Sequence, residues 1–163
     1  LRDLKAVFLK RLGLISAHLG MAFLVLGVGI VTTSSLEREV VLSEGEAYQL
    51  GDVAFTFKGI EEFKHLNYLV DSAKIEIEAN GNVHELNAEK RNYLSSNQIM
   101  TEAAIKPSIL QDYYVTLGDQ LGDKTWSFKI QIKPFIRWIW FGAMLIALGT
   151  FVSSYKNFKR DYE

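Results

Sequence analysis

The sequence predicts a membrane protein in which two transmembrane α-helices flank an extracytoplasmic, mostly antiparallel β domain. Three observations predict it. Two long apolar runs lie near the ends of the 163-residue chain. Basic residues flank their outer ends, and between them the apolar pattern changes to a period of two. The average mean hydropathy of +0.07 hides this division.

The first run, over residues 12–36, holds 25 consecutive residues without Asp, Glu, Lys or Arg. At a helical rise of 1.5 Å per residue it reaches about 37 Å, more than the roughly 30 Å of a hydrocarbon core. It is too long for a signal-peptide apolar region, and Thr32-Thr33-Ser34-Ser35 is a poor cleavage site. The chain starts at Leu1, as a piece of a longer protein would. The second run covers 138–155, preceded by Pro134, Phe135 and Ile136. Arg137 stands at its entrance, where a guanidinium can reach the headgroups, beside the belt aromatics Phe135, Trp138 and Trp140.

Arg2, Lys5, Lys10 and Arg11 precede the first span, and Lys156, Lys159 and Arg160 follow the second. The positive-inside rule then puts both termini in the cytoplasm. The expected divisions are a cytoplasmic flank over 1–12, a transmembrane helix over 13–32, an exported β-rich domain over 33–133, a transmembrane helix over 134–154 and a cytoplasmic tail over 155–163. The exported part carries 10 basic and 16 acidic residues, a net of −6.

Within it, Ile75, Ile77 and Ala79 alternate with Lys74, Glu76 and Glu78, and Asn80-Gly81 supplies a hairpin turn toward Val83 and Leu86. Val53, Phe55 and Phe57 alternate likewise, as do Trp126, Phe128, Ile130 and Ile132. Tyr113 to Leu117 is a further β-prone run. The pattern predicts about six strands in an antiparallel sheet or small sandwich. Gly45, Gly51, Gly59, Gly81, Gly118 and Gly122 punctuate it, and a helical turn is expected over 101–106 before Pro107.

Composition excludes much chemistry. With no cysteine, the chain has no disulfide, thiolate nucleophile or Cys-type zinc site. A net charge of −1 gives no pull toward nucleic acid. No Gly-x-Ser-x-Gly or phosphate-binding loop occurs. Glu61, Glu62 and Asp71 read as solvated acids, His65 and His84 as isolated surface residues. Lys90 and Arg91 read as solvated or ion-paired rather than as binders of a carboxylate ligand.

His18 is the exception. An imidazole in an apolar span needs a partner, so it is a functional hypothesis by default. His18, Ala22, Val25 and Gly29 share one stripe, with room beside the ring for a flat ligand or a close helix. Gly13, Ala17, Gly20 and Gly27 form a second stripe suited to helix packing. Ligand binding and a polar bridge between helices both fit the residue. As an iron ligand the ring would be neutral, its second nitrogen donating to an acceptor, either a backbone carbonyl one turn earlier or a group on another helix.

More specific strings occur in order: Ala17-His18-Leu19-Gly20, Glu89-Lys90-Arg91-x-Tyr93, residues 100–105, 112–118, 133–142, and Ala147-Leu148-Gly149. Together they resemble the C-terminal part of the CcmF family of cytochrome c maturation proteins. The resemblance implies a segment of a haem lyase subunit in the bacterial inner membrane, its β domain periplasmic. It implies a transmembrane b-type haem (haem b) with His18 as one axial iron ligand. The second ligand would come from a part of the protein outside this chain. Implied partners are the upstream part of CcmF, a CcmH-type protein, the haem chaperone CcmE, apocytochrome c and membrane lipid.

The family's tryptophan-rich segment and its other functional histidines are absent here, and Ala88 replaces the proline that usually precedes Glu89. Lyase chemistry is therefore expected of an assembly, with no catalytic residue in this segment. The alternative from another class is a non-catalytic, membrane-anchored scaffold that docks pathway partners through its acidic domain. A small-ligand sensor ranks behind both, because no convergent polar cluster marks a pocket.

Overall fold

The structure, a computed structural model, describes the backbone of residues 2–161 and the side chains of residues 11–154. The side chains of Arg2, Lys5, Lys10, Lys156, Lys159 and Arg160, on which the sequence-based orientation rests, lie outside the described residues. The chain divides into two compact units, one made of both terminal segments and one spanning Ser35–Lys133.

The first unit is an antiparallel helix pair, α1 (Arg2–Ser34) and α2 (Ile136–Asp161). Stretches of 24 residues (Arg11–Ser34) and 19 residues (Ile136–Ser154) are long and apolar enough to cross a membrane. At 1.5 Å per residue they reach about 36 Å and 29 Å. Helix α2 begins two residues later than Pro134. Pro134 closes a strand, Phe135 turns at φ 57°, and the Trp138 N–H then donates to the Phe135 carbonyl at 3.0 Å.

Glycines bring the helices together. Gly13, Gly20 and Gly27 recur every seven residues on one face of α1, and all three are buried. On α2, Gly142 and Gly149 have the same spacing and the same burial. A Cβ on Gly149 would lie 2.5 Å from the Gly13 carbonyl oxygen, and one on Gly27 would lie 2.9 Å from Ile139. Small residues let two backbones approach where lipid supplies no hydrophobic drive. Ser16 adds a hydrogen bond, its hydroxyl donating to the Leu145 carbonyl at 3.0 Å. Phe23 packs on Trp138 and Phe141 at 5.2 and 5.3 Å.

The second unit is a sandwich of nine strands. These are β1 (Leu36–Ser43), β2 (Ala47–Leu50), β3 (Val53–Lys64), β4 (Tyr68–Ala79), β5 (Asn82–Tyr93), β6 (Gln98–Glu102), β7 (Ala104–Lys106), β8 (Gln111–Gly122) and β9 (Thr125–Pro134). One sheet has the order β1-β9-β8-β7, the other β2-β3-β4-β5-β6. The expected alternations supply the core. Phe55, Phe57, Ile75, Ile77, Val115, Leu117, Phe128 and Ile130 are at most 1% exposed, each side chain contributing about 1.5–3 kcal/mol by burial. Phe57 meets Phe128 across the two sheets at 4.9 Å.

Asn80 and Gly81 form the two-residue turn with φ of 51° and 73°, between paired Ala79 and Asn82. That pairing puts His84 opposite Ile77, and Val83 opposite Glu78 on the outer face, 56% exposed, so Val83 is not a core residue. Three further expectations change. The described residues form nine strands rather than about six, because β1, β2 and β7 are short or charged and carry little periodic signal. The segment 101–106 is extended, not helical: it ends β6, crosses at Ala103 and forms β7 in the opposite sheet. Gly118 lies inside β8 rather than at a turn, whereas Gly122 ends that strand just before the turn into β9. A side chain at 118 would collide with the Ser127 hydroxyl.

Candidate functional site

The two stripes of α1 face opposite ways. Gly13, Gly20 and Gly27 are consumed by α2, while His18, Ala22, Val25 and Gly29 are exposed. Nothing stands within 4 Å of where a Cβ on Gly29 would be. His18 therefore does not bridge to α2.

The imidazole is nevertheless positioned. Its Nδ1 lies 2.8 Å from the carbonyl oxygen of Leu14, one turn earlier. A carbonyl can only accept, so Nδ1 is the donor, and in a neutral imidazole that leaves Nε2 as the nitrogen with a free lone pair. That is the arrangement a metal-bound imidazole adopts, with a fixed tautomer and ring orientation. Leu14, Ile15, His18 and Leu19 line a shallow depression of about 300 Å³, almost wholly apolar apart from the ring nitrogen. The residues present thus offer one imidazole nitrogen in an apolar surround, a donor suited to a single bond to a metal-bearing group.

In the β domain, Lys90 and Arg91 are both held in ion pairs. Lys90 Nζ donates to Asp119 at 2.6 Å and to the Gly118 carbonyl at 3.2 Å. This pair holds the Asp119 carboxyl below its usual range. On the opposite face of β5, Arg91 grips Glu89 through Nε and Nη2 at 3.0 and 2.8 Å, and reaches Glu102 at 3.3 Å. Its guanidinium lies 5.5 Å from the centre of the Tyr68 ring. His65 is exposed and packs between Phe63 and Tyr68, at 5.6 and 4.7 Å, and His84 is half-buried. Among the described residues, no group of three or more His, Cys, Asp or Glu is placed to hold a metal ion.

Glu61 and Glu62 are exposed as expected, but Asp71 is half-buried. Burial pushes its carboxyl up, and the charge of Glu62 adds to the effect. Two polar residues gave no warning in the sequence. Ser16 sits in an apolar run where a hydroxyl is common, and only its contact with α2 makes it matter. Asp112 is 5% exposed and accepts the Ser108 N–H at 2.8 Å, pinning the loop between β7 and β8.

A family model described as the CcmF C-terminal β-sandwich matches residues 33–134. The chain belongs to the CcmF family. Similar curated proteins are described as cytochrome c-type biogenesis proteins. The CcmF of Haemophilus influenzae is 42% identical over 84% of this chain, and that of Escherichia coli 36% identical over the same share. The chain spans about a fifth of the length of both, 21% in each case. A solved structure titled Cytochrome c Heme Lyase CcmF shares the fold, with a TM-score of 0.76 and 22% identity. The likeness covers 90% of this chain and 25% of that one.

Proposed function

We propose that this chain is the C-terminal segment of a haem lyase subunit, supplying through His18 one axial ligand to a b-type haem within the membrane. The observation that carries the reading is the Nδ1–H bond to Leu14, which leaves Nε2 bare on the open face of α1. Leu14, Ile15 and Leu19 give the ring an apolar surround, and Ala22 and Gly29 leave space along the helix. Bound there, haem would supply one-electron chemistry. The Leu14 carbonyl accepts from the other ring nitrogen and so fixes the tautomer and orientation of the imidazole.

The second ligand and the lyase chemistry belong to the longer protein, so this segment alone is not catalytic. Both termini lie in the cytoplasm in this reading, the spans cross the bacterial inner membrane, and the sandwich is periplasmic. There it works with the upstream part of CcmF, a CcmH-type protein, CcmE and apocytochrome c. The similarity to CcmF proteins and the two apolar helices support this placement.

The reading is tested by maturation yield. The chain is co-expressed with the upstream part of the protein and its pathway partners, and covalent haem in a c-type cytochrome is measured. His18→Ala should cut the yield at least tenfold while the chain still accumulates in the membrane. An unchanged yield would remove His18 from the pathway.

A further inference from the structure

Every sheet in the sandwich has two edges, and an uncovered edge offers unpaired N–H and C=O groups to another strand. Three of the four edges are guarded. β1 presents Glu37, Arg38 and Glu39 in succession, β2 has four residues, and β7 has three. β6 is different. It pairs only with β5, has five residues, contains no proline, lysine or bulge, and is exposed along its whole length. Ile99 and Met100 project from its two faces at 61% and 49% exposure.

The cross-strand rows that end on β6 define what an added neighbour must be. One row runs Glu61, Ser72, Glu89, Glu102, and Arg91 is the cation bound to its carboxylates. Three acids against one guanidinium leave the row acidic at its open end. The next row on that face is Phe63, Val70, Arg91, Met100. On the other face, Lys64, Leu69, Asn92 and Ile99 form a row with Leu69 still 42% exposed. A strand added beside β6 would place a basic residue opposite Glu102 and apolar residues opposite Ile99 and Met100. Cross-strand pairs of this kind stabilise a sheet by about 0.2–1 kcal/mol each, beyond the backbone ladder.

We infer that β6 is a docking edge that accepts an extended segment of a partner polypeptide, one carrying alternating apolar residues and at least one Lys or Arg. Main-chain bonds give such strand addition its affinity, and the side-chain rows give it selectivity. The inference stands on the sandwich alone and is independent of His18.

The test uses the full chain in detergent and a fluorescent, acetylated seven-residue peptide in which valine alternates with lysine and threonine. The same peptide is also made N-methylated on alternate residues, in each of the two phases. Saturable binding is expected in fluorescence anisotropy, lost at least tenfold in one N-methylated phase and in Ile99→Lys. Glu102→Gln should weaken it several-fold and reduce its salt dependence. Because the N-methyl comparison leaves the protein unchanged, it stands even where a variant misfolds. No saturable binding, or equal binding of all three peptides, would overturn strand addition. Self-association in light scattering that Ile99→Lys abolishes would overturn the foreign partner in favour of a second copy.

Discussion

Gly20 and Gly142 meet backbone to backbone: a Cβ on either would stand 2.6 Å from the carbonyl oxygen of the other. No real Cβ tolerates that distance, so the two helices touch here only because both residues lack one. The contact decides the rotation of α1. With Gly20 turned to α2, His18 is turned away from it and into the open.

Gly142→Val should therefore separate the helices, with a cost of about 1–3 kcal/mol for the forced shift. The chain has no cysteine, so a pair introduced by Ser16→Cys and Leu145→Cys reports the contact as a cross-link. Cross-linking should fall sharply in Gly142→Val and persist in Gly29→Val, whose site is empty of neighbours.

Asp71 should make the sandwich less stable as pH rises. Burial raises its folded pKa, Glu62 adds to the rise and Lys90 opposes it. The native state then holds the proton more tightly than the unfolded chain does. That contribution is full below the unfolded value of about 3.9 and is lost as pH climbs through the folded value. Asp71→Asn should raise the melting temperature at pH 7, with the gain vanishing below about pH 3.9. A gain that grows in acid would contradict the assignment.

Arg91→Ala should cost no more than about 1 kcal/mol in denaturant unfolding, since its ion pairs are partly solvated. Arg91→Lys should recover little of it, because a lysine cannot reproduce the two-nitrogen grip on Glu89. Full recovery would mean that charge alone matters there.

Both spans and the central strands are legible because apolar residues recur with the period of each element. Val53 to Phe57 and Trp126 to Ile132 alternate without a break, and both faces of the sandwich core follow from them. The segment 101–106 misleads because Ala103 and Ala104 favour a helix in isolation, while its structure is set by pairing with the preceding strand β5 and the following strand β8. Asp71 misleads for the same reason: its neighbours along the chain do not show what buries it. For His18, the sequence supplies the residue and its face. The hydrogen bond from Nδ1 to Leu14 follows from helical spacing, one turn apart. Which of the two stripes α2 would occupy depends on Gly142 and Gly149, more than a hundred residues later.

The ligand role of His18 is tested most directly by a reduced-minus-oxidised absorption spectrum. The chain is purified with the co-expressed upstream part of the protein, as wild type and as His18→Ala. A b-type haem signal present in the wild type and lost in the variant is the predicted result. Equal b-type signals in both would contradict the account and leave the imidazole without a metal to bind.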